Sequence, residues 1–293
     1  MKDLTLIVPA YNEGPSLEVF LPRLCTFCKE RNTRLILVND GSNDESKALF
    51  RQFQQTDQIR ILHHKMNRGY GAAIKTGLAA CETAYAITLD ADGQHSLDDV
   101  DKLYRILKAK DADMVVGSRK KAKSGSGYRR LGKWIIRNLA RVLMTVPVHD
   151  LNSGMKIYRT ELAKSYIHLA PDTMSFSDIF TLIFINNRHL VLEEPIQILE
   201  RKSGKSKIGI ETAFQTVMEV INIVILFNPM KIFLPLSLLC LVATAAWGIP
   251  LLVMGRGLSI GSLLGIIVGI LFFLLGLIAE QLSQIRKNQH RNL

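Results

Sequence analysis

The sequence predicts an α/β fold built on a mostly parallel sheet, followed by amphipathic interfacial helices and a two-helix transmembrane hairpin. Three observations predict it. Up to about residue 118, short apolar runs alternate with helical patterns at the spacing of βαβ units, which gives parallel strands. Each run closes in a loop rich in Gly, Asn, Asp and Ser, so the loops gather at the carboxyl ends of the strands. Two long runs without charge, 232–253 and 258–279, lie in the C-terminal quarter, and each is long enough to cross a bilayer.

The elements follow in order. Residues 4–8 are a continuous apolar run, as a strand buried on both faces requires. Pro9-Ala10-Tyr11-Asn12-Glu13-Gly14 turns into a helix that runs to about Lys29. The second strand, 34–38, closes in Asn39-Asp40-Gly41-Ser42, and Asn43 or Asp44 can cap the helix behind it. Residues 59–63 are the third strand, and Asn67-Arg68-Gly69-Tyr70-Gly71 is a glycine-bearing turn into a helix over 72–80. The fourth strand, 85–89, leads into Asp90-Ala91-Asp92-Gly93-Gln94-His95 and a helix to Lys110 with Ser96 as its cap. Residues 114–116 form the next strand, ending in Gly117-Ser118-Arg119. Residues 175–187 read as a helix, and 190–199 as extended structure broken by Pro195.

Between these, 120–127 is a basic loop, and Arg130, Lys133, Arg137 and Arg141 recur at helical spacing among Leu131, Trp134, Ile135, Leu139, Val142 and Leu143. That pattern, over about 128–146, suits a helix lying on an anionic membrane face; a solvated basic face of an ordinary domain helix is the alternative. A second amphipathic helix occupies 211–229, with Phe214, Val217, Met218, Ile221, Val224 and Ile225 on its apolar side, and Asn228-Pro229 ends it. Met254-Gly255-Arg256-Gly257 joins the two spans as a tight hairpin. Lys231 precedes the spans and Arg286, Lys287 and Arg291 follow them, so the positive-inside rule puts both ends in the cytosol. Gly261, Gly265 and Gly269 make one small-residue face, for contact within the hairpin or between the subunits of a homo-oligomer. The domains expected are a cytosolic one over 1–210, the interfacial helix over 211–229, and the membrane pair with its cytosolic tail over 230–293.

The chain of 293 residues is 48% hydrophobic and carries a net charge of +11. The membrane runs account for the first figure. The second suits nucleic acid, an anionic membrane or phosphorylated substrates as partners, and with membrane runs in the chain the expected partners are the lipid bilayer and phosphorylated substrates, with no nucleic acid. Cys25 and Cys28 have the spacing of a redox pair, but they fall mid-pattern in a helix with no second pair, so they read as packing residues. Lys2 and Asp3 leading into a short strand ended by Pro9 do not read as a signal peptide, and reduced thiols fit a cytosolic domain. The seven histidines show no metal-ligand spacing, and His63-His64 reads as incidental.

Chemistry centres on Asp90-Ala91-Asp92. Two carboxylates at the carboxyl end of a parallel strand suit a hard divalent cation, Mg2+ or Mn2+, shared with substrate phosphates. A solvated surface pair is the plain alternative, and the company of the other motifs argues against it.

Ile7-Val8-Pro9-Ala10-Tyr11-Asn12-Glu13, Val38-Asn39-Asp40-Gly41-Ser42, Asn67-Arg68-Gly69-x-Gly71 and Asp90-Ala91-Asp92-Gly93-Gln94 together resemble the inverting family 2 glycosyltransferases. Asp150-Leu151-Asn152-Ser153-Gly154 and Arg201-Lys202-Ser203-Gly204-Lys205-Ser206-Lys207 are similar to the polyprenyl-phosphate branch of that family, which includes the dolichyl-phosphate mannose synthases. The resemblance covers about 4–210, and the tail resembles that of the bacterial two-span members. It implies a Rossmann-like sheet of the GT-A type, a nucleotide-sugar donor, a polyprenyl phosphate acceptor and a divalent metal. It places the metal at Asp90, Asp92 and Gln94, with Asp92 central to catalysis, and Arg201 and Lys207 on a loop over the donor diphosphate. It assigns Pro9, Tyr11, Glu13, Asp40, Gly69, Gly71 and Ala91 to the nucleotide side, with Tyr11 against the base and Glu13 and Asp40 accepting from ribose hydroxyls or base N–H groups. Gly69 and Gly71 serve tight backbone geometry there.

Arg119, Arg137 and Ser153 are the candidates for an acceptor phosphate, and Asp150 orients the acceptor or serves as a base if the acceptor is a hydroxyl. Three functions follow as alternatives: transfer to a polyprenyl phosphate at the cytosolic leaflet; transfer to another lipid or glycan hydroxyl in envelope synthesis; or a tethered nucleotide- or polyanion-binding module without catalysis. The intact Asp-x-Asp and the Arg/Lys loop disfavour the third. Processive synthases of the family carry Gln-x-x-Arg-Trp, a motif that neither Trp134 nor Trp247 completes.

Overall fold

A computed structural model describes residues 1–53, 58–119, 147–199, 221, 225, 228–257 and 259–289. The basic helix around Arg137, the loop carrying Arg201 and Lys207, and nearly all of the amphipathic helix of 211–229 lie outside the described residues. The chain divides into two compact units, Met1–Thr216 and Val217–Leu293.

The first unit is a seven-stranded sheet. Its strands are β1 (Leu4–Ala10), β2 (Arg34–Asn39), β3 (Ile59–His63), β4 (Tyr85–Thr88), β5 (Met114–Ser118), β6 (Lys156–Arg159) and β7 (Val191–Pro195), in the order β3-β2-β1-β4-β6-β5-β7. All the pairings are parallel except those of β6, which runs antiparallel to both β4 and β5. Five strands lie where the apolar runs predict them and β7 lies within the predicted extended segment. β6 is absent from the sequence reading, as is the helix that follows it: a four-residue strand with Lys and Arg at its ends offers neither an apolar run nor a clean alternation.

Helices cover both faces. They are α1 (Gly14–Arg31), α2 (Ser46–Phe53), α3 (Tyr70–Ala80), α4 (Leu97–Ala109), α5 (Thr160–Tyr166) and α6 (Phe176–Asn186). Strand side chains alternate between faces, so Leu4, Leu6 and Val8 of β1 enter one core with Phe20 and Leu24 of α1 and Val100 and Leu103 of α4. Ile7 points the other way, toward α3, where a Cβ at Gly77 would collide with its Cγ2 methyl. The absent side chain is what lets α3 lie close on the sheet. Cys28 is buried in the first core, and burial pushes its thiol up to about 11, which suits packing rather than redox work. Ser96 caps α4 as the sequence predicts, its Oγ accepting from the Asp98 amide at 3.3 Å.

The second unit holds α7 (Met230–Val253) and α8 (Ile260–Gln289), both long and apolar enough to cross a membrane. The 24 residues of α7 span about 36 Å at 1.5 Å per residue, more than the roughly 30 Å hydrocarbon core. α8 continues ten residues beyond the apolar run that ends at Ala279, because Glu280, Gln281 and the residues after them are helix formers that carry the helix into a polar stretch. Small residues seat one helix on the other: a Cβ at Gly265 would meet Thr244, one at Gly269 would meet Leu241, and one at Gly276 would meet Phe233. Ser237 Oγ donates to the Gly269 carbonyl at 2.7 Å. Gly265 and Gly269 are thus used within the hairpin, whereas among the described residues a Cβ at Gly261 would meet Ser259 alone.

Candidate active site

The reversed strand builds the site. Lys156, the first residue of β6, is in register with Thr88 of β4 on one side and Val116 of β5 on the other. Asp90 follows Thr88 by two residues and Arg119 follows Val116 by three. The loop Asp150–Gly154 enters β6 just before Lys156. Three loops from three strands therefore converge on one stretch of the sheet's edge.

Asp90 is held on three sides. Tyr70 Oη donates to Asp90 Oδ1 at 2.9 Å, and His95 Nε2 lies 3.3 Å from Oδ2. On the third side a Cβ at Gly154 would overlap the Asp90 carboxylate, so only glycine fits there. Burial pushes the Asp90 carboxyl up, but the His95 and Tyr70 hydrogen bonds and the Arg119 charge outweigh it and hold it below the usual carboxylate range. Asp92 is looser: it is half-buried, and its Oδ1 accepts the Gln94 amide at 3.1 Å across a turn in which Gly93 has φ +71°. The donor chemistry fits a small hard cation. One carboxylate is fixed and one is on a turn, and the described residues hold no cluster of three or more His, Cys, Asp or Glu, so a cation here would draw its remaining ligands from elsewhere.

On the nucleotide side, Pro9 is buried within β1, and Tyr11 just past it is 43% exposed. Glu13 accepts from Ser16 Oγ at 3.0 Å. Asp40 is buried and engaged: Oδ1 accepts the Arg68 amide at 2.9 Å and faces His64 Nδ1 at 2.6 Å, and Oδ2 accepts the Gly69 amide at 2.9 Å. The oxygens expected to meet ribose or base also shape the glycine turn. His64, read as incidental, also reaches Thr76 Oγ1 at 2.8 Å and so braces Asp40 against α3. Gly69 has φ +103°, and both it and Gly71 press backbone to backbone on Pro171 and Asp172. Ala91 is buried between the two aspartates.

On the other side, Arg119 grips Asp150 with both prongs, Nε to Oδ2 at 2.8 Å and Nη2 to Oδ1 at 2.9 Å, while its backbone amide adds a third bond at 3.0 Å. Nη2 also reaches the Asn152 carbonyl at 2.7 Å. Burial pushes Asp150 up, yet the hydrogen bonds and charge of Arg119 hold it below the ordinary range. Glu193 of β7 fixes the start of this loop, accepting the Asp150 amide at 3.0 Å and facing His149 Nδ1 at 3.0 Å. Ser153 is fully buried, and its hydroxyl accepts the Met155 amide at 3.3 Å. Beneath the loop lies Lys156, also fully buried, donating to the Leu151 carbonyl at 2.6 Å and to the Ser177 carbonyl.

Arg137, Arg201 and Lys207 lie outside the described residues. The segment before Arg201 is anchored at the metal side: Leu199 donates to the Gln94 carbonyl at 2.9 Å, and Gln197 donates to Asp99 Oδ2 at 2.8 Å.

Tyr70, His95, Gly154 and Lys156 carry roles that the sequence reading does not assign. Gly154 sits in a quoted motif and Tyr70 is the open position of another, so proximity to motifs was the available signal. Lys156 gives none, since a lysine opening a short strand reads as exposed.

Residues 5–167 match the family described as Glycosyl transferase family 2, and residues 228–285 match the GtrB C-terminal hairpin. The first match spans more than half of the chain, which therefore belongs to glycosyl transferase family 2 and is an enzyme of that family. Within it, the chain is 26% identical over 225 residues to a dodecaprenyl-phosphate galacturonate synthase of Rhizobium johnstonii, covering 75% of this chain and 66% of the relative. It is 27% identical over 224 residues to an undecaprenyl-phosphate 4-deoxy-4-formamido-L-arabinose transferase of Edwardsiella ictaluri, covering 75% and 67%. The chain thus spans about two thirds of the length of these relatives. Among solved structures, glucosyl-3-phosphoglycerate synthase from Mycobacterium tuberculosis in complex with phosphoglyceric acid superposes with a TM-score of 0.58 at 17% identity, over 75% of this chain and 79% of that one. A complex of the same synthase with Mn2+ and uridine-diphosphate-glucose gives 0.57 at 16%, over the same shares. These likenesses establish the GT-A fold. The hairpin match, with two apolar helices of spanning length, supports membrane association.

Proposed function

We propose that the protein transfers a sugar from a nucleotide-diphosphate sugar to a polyprenyl phosphate, with inversion, at the cytosolic leaflet of the membrane. The names of the two relatives support the acceptor class. The observation that carries the choice of a phosphate over a hydroxyl is the Arg119–Asp150 pair. Asp150 is bound at both oxygens and held ionised, which makes it a weak base. A phosphate acceptor needs none, because its oxygen is already anionic.

In the reaction the acceptor oxygen attacks the anomeric carbon from the face opposite the leaving group, and the bond to the nucleotide diphosphate breaks. Asp90, Asp92 and Gln94 would hold a Mg2+ or Mn2+ ion, whose charge offsets that of the diphosphate. Tyr70 and His95 fix Asp90, and Asp40 sets the glycine turn under the nucleotide. Arg119 holds the loop that faces the acceptor, and Arg137 is proposed to meet the acceptor phosphate. Arg201 and Lys207 are proposed to close on the donor diphosphate, a role suited to a forked guanidinium and an ammonium. The catalytic domain, 1–210, would work beside the bilayer with the interfacial helix and the hairpin as its anchor.

The test is a screen of labelled nucleotide-sugars against membranes containing the protein and undecaprenyl phosphate, reading label extracted into organic solvent. Label in the lipid phase with one donor, lost on adding a chelator, is the expected result. Release of nucleotide diphosphate without lipid-linked label would refute the acceptor.

A further inference from the structure

Lys156 is the buried cation that the proposed reaction does not use. Its position follows from the backbone: β6 runs against its neighbours, so its first residue lies at their carboxyl edge, between the loops of Asp90 and Arg119. Its ammonium is sealed from solvent and ties two carbonyls together, Leu151 in the turn that carries Asp150 and Gly154, and Ser177 in the first turn of α6. The carboxylates of Asp178, Asp150 and Asp90 act on it, and so does the Arg119 guanidinium. Burying an ammonium is expensive unless it is paired, so a neutral side chain would serve mere packing better here.

What the lysine holds explains its presence. Leu151 adjoins Asp150, whose carboxylate takes both prongs of Arg119. Gly154, at the other end of the same turn, backs onto Asp90. One ammonium therefore sets the position of the acceptor-side ion pair and of the wall against which the metal-side carboxylate rests.

We propose that Lys156 is a positioning residue for the acceptor, holding the Asp150–Gly154 turn in place by tying the Leu151 carbonyl to that of Ser177. The proposal rests on the polyprenyl-phosphate reading above. Lys156→Met keeps length and removes charge and both hydrogen bonds. With the donor found in the screen, it should raise the KM for undecaprenyl phosphate by about ten-fold or more, the scale of a lost charged hydrogen bond, and leave the donor KM within about two-fold. Lys156→Arg, which restores charge and donors, should recover most of the acceptor KM. An equal rise in both KM values, or an acceptor KM unchanged in Lys156→Met, overturns the proposal. If Lys156→Met does not fold, Lys156→Arg decides: a wild-type donor KM with an acceptor KM within about three-fold of wild type supports it, and equal damage to both substrates overturns it. Failure of the wild-type enzyme to use undecaprenyl phosphate at all would refute the acceptor reading instead, so the two failures are distinct.

Discussion

Arg119 and Asp150 satisfy each other, with two side-chain bonds at 2.8 and 2.9 Å and a backbone bond at 3.0 Å onto the same carboxylate. On the proposed function, the arginine is expected to act on the acceptor through the loop it holds, and the aspartate is not a free base. Asp150→Asn keeps one acceptor oxygen for the pair and should retain measurable turnover. Arg119→Ala strands the carboxylate and should raise the acceptor KM and lower the melting temperature; the double variant Arg119→Ala/Asp150→Ala should be the more stable of the two. Thermal unfolding of the three variants with acceptor titrations checks this. An inactive Asp150→Asn beside a normal Arg119→Ala would favour a hydroxyl acceptor.

Asp92→Ala should abolish transfer while leaving the fold intact. Asp92 sits half-buried on a turn, where its Oδ1 accepts the Gln94 amide, so shortening it to alanine leaves the buried core untouched. Removing charge stabilisation at a leaving group costs on the order of 100-fold or more in rate. The rate of lipid-linked product, compared with far-ultraviolet circular dichroism, separates the two effects; substantial residual activity would displace Asp92 from the metal site.

Tyr70→Phe should weaken divalent-metal use without touching the acceptor. The phenol donates to Asp90 Oδ1 at 2.9 Å, and hydrogen bonds to charged groups contribute about 1.5–3 kcal/mol. The Mn2+ concentration for half-maximal rate should rise about ten-fold, with the acceptor KM unchanged. An unchanged Mn2+ requirement would mean that His95 and Gly154 suffice to fix Asp90.

Gly154→Ala tests the third contact on Asp90. Its Cβ would occupy the space of the carboxylate, so either the turn or Asp90 has to shift. A displacement of about 1 Å at a reacting centre can cost on the order of 100-fold, and that loss in kcat/KM is expected with secondary structure retained. Activity near wild type would show that the turn yields instead.

Sequence legibility followed the strength of each local signal. The five strands up to Ser118 announce themselves as short runs rich in apolar residues; in β1, buried from Leu4 to Ala10, Thr5 is the one polar side chain. The Asp-x-Asp loop and the glycine turn were visible for the same reason: they punctuate those runs. β6 was not, because Lys156 and Arg159 bracket only two apolar residues, and reversed pairing leaves no mark on composition. With β6 hidden, the contact between Gly154 and Asp90 was hidden too, since it exists only when the two loops lie at one edge. The motif marks Asp40 for the nucleotide; that its oxygens also hold the Arg68 and Gly69 amides depends on tertiary placement, which spacing does not record.

Lys156 gives the last prediction, through pH. Burial pulls its ammonium well below the usual lysine range, opposed by Asp178, Asp150 and Asp90 and reinforced by Arg119. The unfolded chain binds that proton with an ordinary affinity, near 10.4. Between the folded and unfolded values the unfolded state therefore holds more protons, and linkage makes stability rise with pH across that window. The penalty is fully present below the folded value and gone above the unfolded one. Lys156→Met lacks the group, so the melting temperature of wild type minus that of the variant should grow as pH rises from about 7.5 to about 9.5. Melting curves of both proteins in one detergent across that range measure the gap, and taking the difference cancels the tyrosines and cysteines they share. A gap that stays flat would show that Lys156 keeps its proton throughout and that the surrounding carboxylates outweigh its burial.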